Sequence, residues 1–264
     1  MGITGIESAR HKLGRARHHI EALGKELEAF VKSDPLQYEP RWDYDEEADT
    51  FACTLHVTKS TEIPDEFALI AGDVLTNLRA ALDHSIFTHV LNNWPQAKGR
   101  ALSKREIKSI QFPIVDEELK PEHGARFAPH VRRVIERIQP YNGGEALELR
   151  TLRELVNADK HHSLLVTNGA EFHIQVQHDL RYEHHSNETY EGTVLDVGAR
   201  FARIVFRRRR DVRQQPSEFV KFDIGFPIQI AIPPNDALQP IDICLKRLWN
   251  IVHITINNLE QAGV

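Results

Sequence analysis

The chain has 264 residues, 41% of them apolar and 27% charged, with a formal net charge of -5. That is enough for one large domain with a hydrophobic core, and it excludes a globally basic protein while leaving room for a local basic patch. No stretch reaches the roughly 18 apolar residues of a membrane-spanning helix, and Met1 to Gly5 show no charged segment leading into an apolar run, so a soluble cytoplasmic protein is expected.

Apolar residues at Ile6, Leu13, Ile20, Leu23, Leu27 and Phe30 are spaced for an amphipathic helix over 6–31. Ser33-Asp34-Pro35 stops it. Tyr38 to Tyr44, an acidic turn, and the alternating Phe51, Cys53, Leu55 and Val57 predict a hairpin. A second helix opens near Pro64 and ends near Asn92, before Trp94-Pro95. Polar residues 98–108 could form a short helix, and further helices are expected over 127–138 and 145–162. The period then becomes two, predicting strands at 164–166, 171–177, 193–197, 200–208 and along the alternating run from Val220 to Ile232. Pro227 inside that run favours a strand edge or a bulge. A last helix is expected over 241–259. The fold class is therefore α+β: a helical bundle of about five helices, both terminal ones included, with an appended, mostly antiparallel sheet. One domain over 1–264 is expected, helical over about 1–162 and 236–262 and sheet over about 163–235.

The second helix carries the strongest chemical signal. Phe67, Ala71, Val74, Leu78 and Leu82 share one face, and Ala80 and Phe87 mark a second apolar side. Such a helix is buried or packed against a second chain, and a homodimer is expected. Arg79 and Asp83, four apart, can pair. Arg79 and His84, five apart, lie about 140° apart around the axis. The plain reading is a polar seam of Arg79, Asp83 and His84.

Arginine, four residues, then histidine on a helix resembles the motif of the HEPN ribonuclease superfamily, in which two protomers build one metal-independent site. That resemblance implies His84 as the acid/base and Arg79 as the group stabilising charge on the scissile phosphate, with no cofactor or metal. A wider set also belongs together: Gly72-Asp73, Asn77-Leu78-Arg79, Ala81-Leu82-Asp83-His84, Phe112-Pro113-Ile114, Gln139-Pro140-Tyr141 and Asn157-Ala158-Asp159-Lys160-His161. In this order it resembles a family of uncharacterised bacterial and phage proteins and implies no established activity.

Asp159 continues the apolar stripe of Leu149, Leu152, Leu155 and Val156, while His161 points the other way. A carboxylate facing a core needs a partner, so Asp159 is expected to pair with Arg79 or to hold a ring nitrogen of His84. The candidate catalytic residues are therefore Arg79, His84, Asp83, Asp159 and His161. With fifteen histidines in the chain, metal binding by Asp83, His84, His89, Asp159, His161 and His162 is the rival use, but no HExxH occurs and the spacings suit chelation poorly. Cys53 and Cys244 supply neither a disulfide framework nor a CxxC site. Seven arginines fall within 200–213. Of these, Arg207, Arg208, Arg209, Arg210 and Arg213 are candidate nucleic-acid contacts, or else a charged strand edge paired with the protein's own carboxylates. No phosphate-binding glycine loop and no GxSxG occur. The leading expectation is a HEPN-like, metal-independent endoribonuclease in a toxin or phage-defence setting, with RNA as partner. The alternative is a non-catalytic dimeric module that binds nucleic acid or protein.

Overall fold

The computed structural model describes residues 5–168, 173–177, 182–190, 195–208, 220–225 and 227–264. The fold is α+β, with helices α1 (Gly5–Lys32), α2 (Glu66–Lys98), α3 (Lys104–Lys108), α4 (Pro121–Gly124), α5 (Pro129–Arg137), α6 (Leu147–His161) and α7 (Ile241–Gln261). The strands are β1 (Leu36–Asp45), β2 (Thr50–Ser60), β3 (Val166–Asn168), β4 (His173–Gln177), β5 (Tyr182–Thr189), β6 (Arg200–Arg208), β7 (Lys221–Gly225), β8 (Ile228–Ile232) and β9 (Ala237–Pro240). The chain divides into two compact units. The first comprises residues 1–26, 65–165 and 230–264, and the second 27–64 and 166–229. The hairpin expected with the helical part therefore belongs to the unit that holds most of the strands.

In the first unit, α2 packs on α6 and α7, and α7 also packs on α5 and α6. The shared interior is aliphatic: Val74, Leu75, Leu78, Leu82 and Ile86 of α2, Leu149, Leu152 and Leu155 of α6, and Leu245, Leu248, Val252 and Ile256 of α7 are all fully buried. Burying each such side chain contributes about 1.5–3 kcal/mol. The helix α2 outruns its expected end by six residues. Pro95 is accommodated in its last turn, and Gly99, at φ 67°, closes it by donating its amide to Gln96. A left-handed cap of this kind costs a glycine nothing. Between α2 and α5, Ser103 and Glu106 form a reciprocal capping box that starts α3.

In the second unit, four antiparallel strands run in the order β1-β2-β6-β5. One face buries Cys53, Leu55, Phe201, Ile204, Phe206 and Tyr182, with Trp42 tilted on Phe206 at 5.9 Å between ring centroids. Two further sheets have the orders β4-β7 and β3-β8-β9, and in the latter β9 and most of β8 are residues of the first unit. The alternating run 220–232 is two strands rather than one: β7 pairs with β4, while β8 joins β3 and β9. Pro227, without an amide hydrogen, sits at the break. Residues 195–197 are not a strand, and β5 and β9 were not anticipated. β5 is largely polar and β9 is only four residues long, so neither shows an alternating apolar pattern. Among the described residues, no helix is long and apolar enough to cross a membrane.

Phe206→Ala removes a fully buried ring and is expected to cost about 3–5 kcal/mol. Denaturant unfolding followed by circular dichroism measures it.

Candidate functional site

The site is built from the first unit alone, around an extended segment that forms no strand. Phe112 to Asp116 must satisfy its backbone groups without a ladder partner, and side chains from three separate elements do so. Asp83 Oδ1 accepts the Phe112 amide at 2.8 Å, and Arg79 donates to the Phe112 carbonyl at 2.8 Å. Gln139, fully buried, accepts the Val115 amide at 2.9 Å and donates to the Pro113 carbonyl at 3.0 Å. Arg153 donates to the Ile114 carbonyl at 3.2 Å and pairs with Asp116 at 2.7 Å. Phe112 itself is driven into the core. The motif blocks around residues 79–84, 112–114 and 139–141 thus meet in one polar clamp.

Arg79 and Asp83 pair at 2.9 Å, as the four-residue spacing allows, with side chains only 17% and 24% exposed. Burial pushes the Asp83 carboxyl upward, while Arg79 and the Phe112 amide pull it back. His84 is absent from this seam. Its Nδ1 lies 2.8 Å from Ser8 Oγ on α1. There α1 also covers part of the second apolar side of α2, with Gly5 close against Thr88. The 140° between Arg79 and His84 therefore sends the two side chains to different neighbours, and within one chain they do not converge.

Asp159 faces α2, as its place on the α6 stripe requires, but it meets Gly72 rather than Arg79 or His84. A methyl group at position 72 would lie 2.6 Å from Asp159 Oδ1, so any larger residue there would push the carboxylate out of its present place. Asp159 makes no hydrogen bond or ion pair among the described residues. Burial, reinforced by the neighbouring Asp73, holds its carboxyl above the ordinary 3.8. His161 is exposed at the end of α6 and shares a cavity of about 610 Å³ with Asp159, Lys160, His162 and Asp65. His89 accepts the Ala128 amide at 3.2 Å and stacks on Phe127. Among the described residues, no three histidine, cysteine or carboxylate side chains converge as a metal-binding group. Burial pushes both cysteine thiols up to about 12, which removes them as nucleophiles at neutral pH.

In the second unit, Arg208 pairs with Asp49 at 2.7 Å and reaches the Tyr44 hydroxyl at 3.1 Å. That is the use of an arginine as a partner for the protein's own carboxylates. Arg207 is exposed. Arg209, Arg210 and Arg213 lie outside the described residues.

Arg79 opens on its other side into a cleft of about 500 Å³ also lined by His123, Arg126, Arg153, Asn157 and Lys160. Arg126 stacks on Trp94, its guanidinium carbon 4.3 Å from the ring centroid. Its buried Nε has no hydrogen-bond partner. No spacing signal marks this group, because its residues come from α2, α4, α6 and the segment after α4. A scan of protein-family models, a search of curated proteins and a search of solved structures each return no match.

Two outcomes test this geometry. Arg79→Ala strands the Phe112 carbonyl and the Asp83 carboxylate and is expected to cost about 2–3 kcal/mol. His84→Ala, which loses one half-buried hydrogen bond, costs about 1 kcal/mol; denaturant midpoints of the two variants compare them. Asp159→Asn is expected to stabilise the protein at pH 7. A carboxyl raised in the fold penalises its own ionisation, so the cost is absent below the ordinary 3.8, grows as pH rises and is complete above the folded value. Thermal unfolding from pH 3 to 7 should show the variant's advantage appearing only in the upper part of that range.

Proposed function

We propose that the chain binds RNA through the Arg79 cleft, recognising phosphate rather than base. The carrying observation is the gathering of Arg79, Arg126, Arg153 and Lys160 around one cavity in a chain of net charge -5. Guanidinium groups match phosphate geometry and remain charged at any working pH. A cavity of about 500 Å³ suits a nucleotide of a single strand.

A second reading, metal-independent endoribonuclease, has its own support in His123. This imidazole lines the same cleft as Arg79, and imidazole is suited to proton transfer near neutral pH. His84, bonded to Ser8, is the weaker candidate within a single chain. A toxin or phage-defence role belongs with this second reading.

Anisotropy titration of a fluorescent single-stranded RNA at several salt concentrations tests the proposal. With two cations neutralised by phosphate, log affinity against log salt is expected to fall with a slope of about -1.4. Arg126→Gln should flatten it, and absence of saturable binding at low salt overturns the reading. The same RNA incubated with a chelator tests cleavage. Cutting lost in His123→Ala but kept in His84→Ala supports the second reading, and the reverse pattern returns the role to His84.

A further inference from the structure

The charges around the Arg79 cleft are not evenly compensated. Arg79 is matched by Asp83 at 2.9 Å, and Arg153 by Asp116 at 2.7 Å and Glu154 at 2.6 Å. Arg126 and Lys160 form no ion pair among the described residues. Lys160 is exposed at the rim. Arg126 is half-buried, laid on the nearly buried Trp94 ring, and its backbone carbonyl is fixed by Asn93 at 3.1 Å. The Trp94 ring holds the guanidinium in one orientation, while the orphaned Nε leaves its hydrogen-bonding capacity unused. A half-buried guanidinium with no direct ion pair is a cost to the fold that a bound anion reduces. Burial draws this group below its ordinary basicity against the pull of the nearby Glu106 carboxylate, which is itself paired with Lys98 and Arg100.

Two unmatched positive charges call for a ligand carrying two negative ones. An internal phosphodiester carries one. A phosphate monoester carries about -1.5 to -2 at neutral pH and offers three acceptor oxygens, enough for the Arg126 fork together with the Lys160 ammonium. We propose that the cleft recognises a phosphate monoester, the terminal phosphate of an RNA strand or that of a free nucleotide, and that Arg126 and Lys160 are the residues that grip it. The strand form of this ligand rests on the RNA-binding reading; the nucleotide form does not.

The test uses the intact protein and one short RNA prepared with a 5′-phosphate, with a 3′-phosphate and with hydroxyl ends. Anisotropy is expected to show at least one phosphorylated form binding roughly tenfold or more tightly than the hydroxyl form. Lys160→Gln, at an exposed position, keeps the fold and should erase most of that preference. Arg126→Gln should do the same, with circular dichroism checking that it is folded. Competition with adenosine monophosphate separates the two sources. Displacement of the phosphorylated strand means that the phosphate is read on a free nucleotide as well, and failure to displace assigns it to the strand. Equal affinity for all three RNAs overturns the monoester proposal and leaves RNA binding standing. Direct binding of adenosine monophosphate, lost in Lys160→Gln, with no binding of any RNA, supports the monoester and overturns the RNA reading. No response to any of these phosphate monoesters overturns the proposal outright.

Discussion

The segment Phe112 to Asp116 belongs to no helix or strand, and side chains of the helical unit are spent on satisfying its backbone. Each unpaired amide or carbonyl in such a place costs about 1–3 kcal/mol. Asp83, Arg79, Gln139 and Arg153 between them answer the Phe112 amide and the Phe112, Pro113, Ile114 and Val115 groups that face inward. This clamp explains why a helix buried on nearly all sides keeps an arginine and an aspartate one turn apart. It also explains why those residues occur in one chain with FPI and QPY blocks that are distant in sequence. An Arg79 engaged on two sides is rigid, and a rigid cation is a better wall for an anion cleft than a flexible one.

Much of the architecture could be read from periodicity. The helix at 5–32, the hairpin at 36–60 and α7 follow apolar spacing, while β6, an inner strand, is a nearly continuous apolar run between arginines because both of its faces are buried. Where the chain departs from that rule, sequence reading fails for identifiable reasons. Pro95 did not end α2, since a proline in the last turn removes only one helical hydrogen bond and Gly99 supplies the stop. The run 220–232 looks continuous because alternation carries no information about which sheet each half joins. The largely polar β5 and the four-residue β9 have no pattern to detect.

The candidate site was legible only in part. Arg79 with Asp83 followed from i, i+4 spacing, and the direction of Asp159 followed from the α6 stripe. Its partner did not, because a stripe says which way a side chain points and nothing about what it meets. Gly72 is the clue that was present: a glycine in a helix interior costs about 1 kcal/mol, and here it is the space that the carboxylate occupies. Arg126 and His123 carried no signal at all. Their importance comes from being folded back beside α2 by α4 and the turn after it.

Trp94 gives the cleft an optical property of its own. The ring is 5% exposed and lies between two cations, Arg126 at 4.3 Å and Lys98 at 4.9 Å. Of the three tryptophans, Trp42 belongs to the other unit and Trp249 lies on α7 with its indole bonded to the Leu13 carbonyl of α1. Among the described residues, Trp94 is the one tryptophan with a cleft-lining guanidinium over its ring. Any anion that shifts the Arg126 guanidinium changes the electric field across this indole and leaves the other two as they were. The protein therefore carries an intrinsic emission reporter of cleft occupancy that needs no added label.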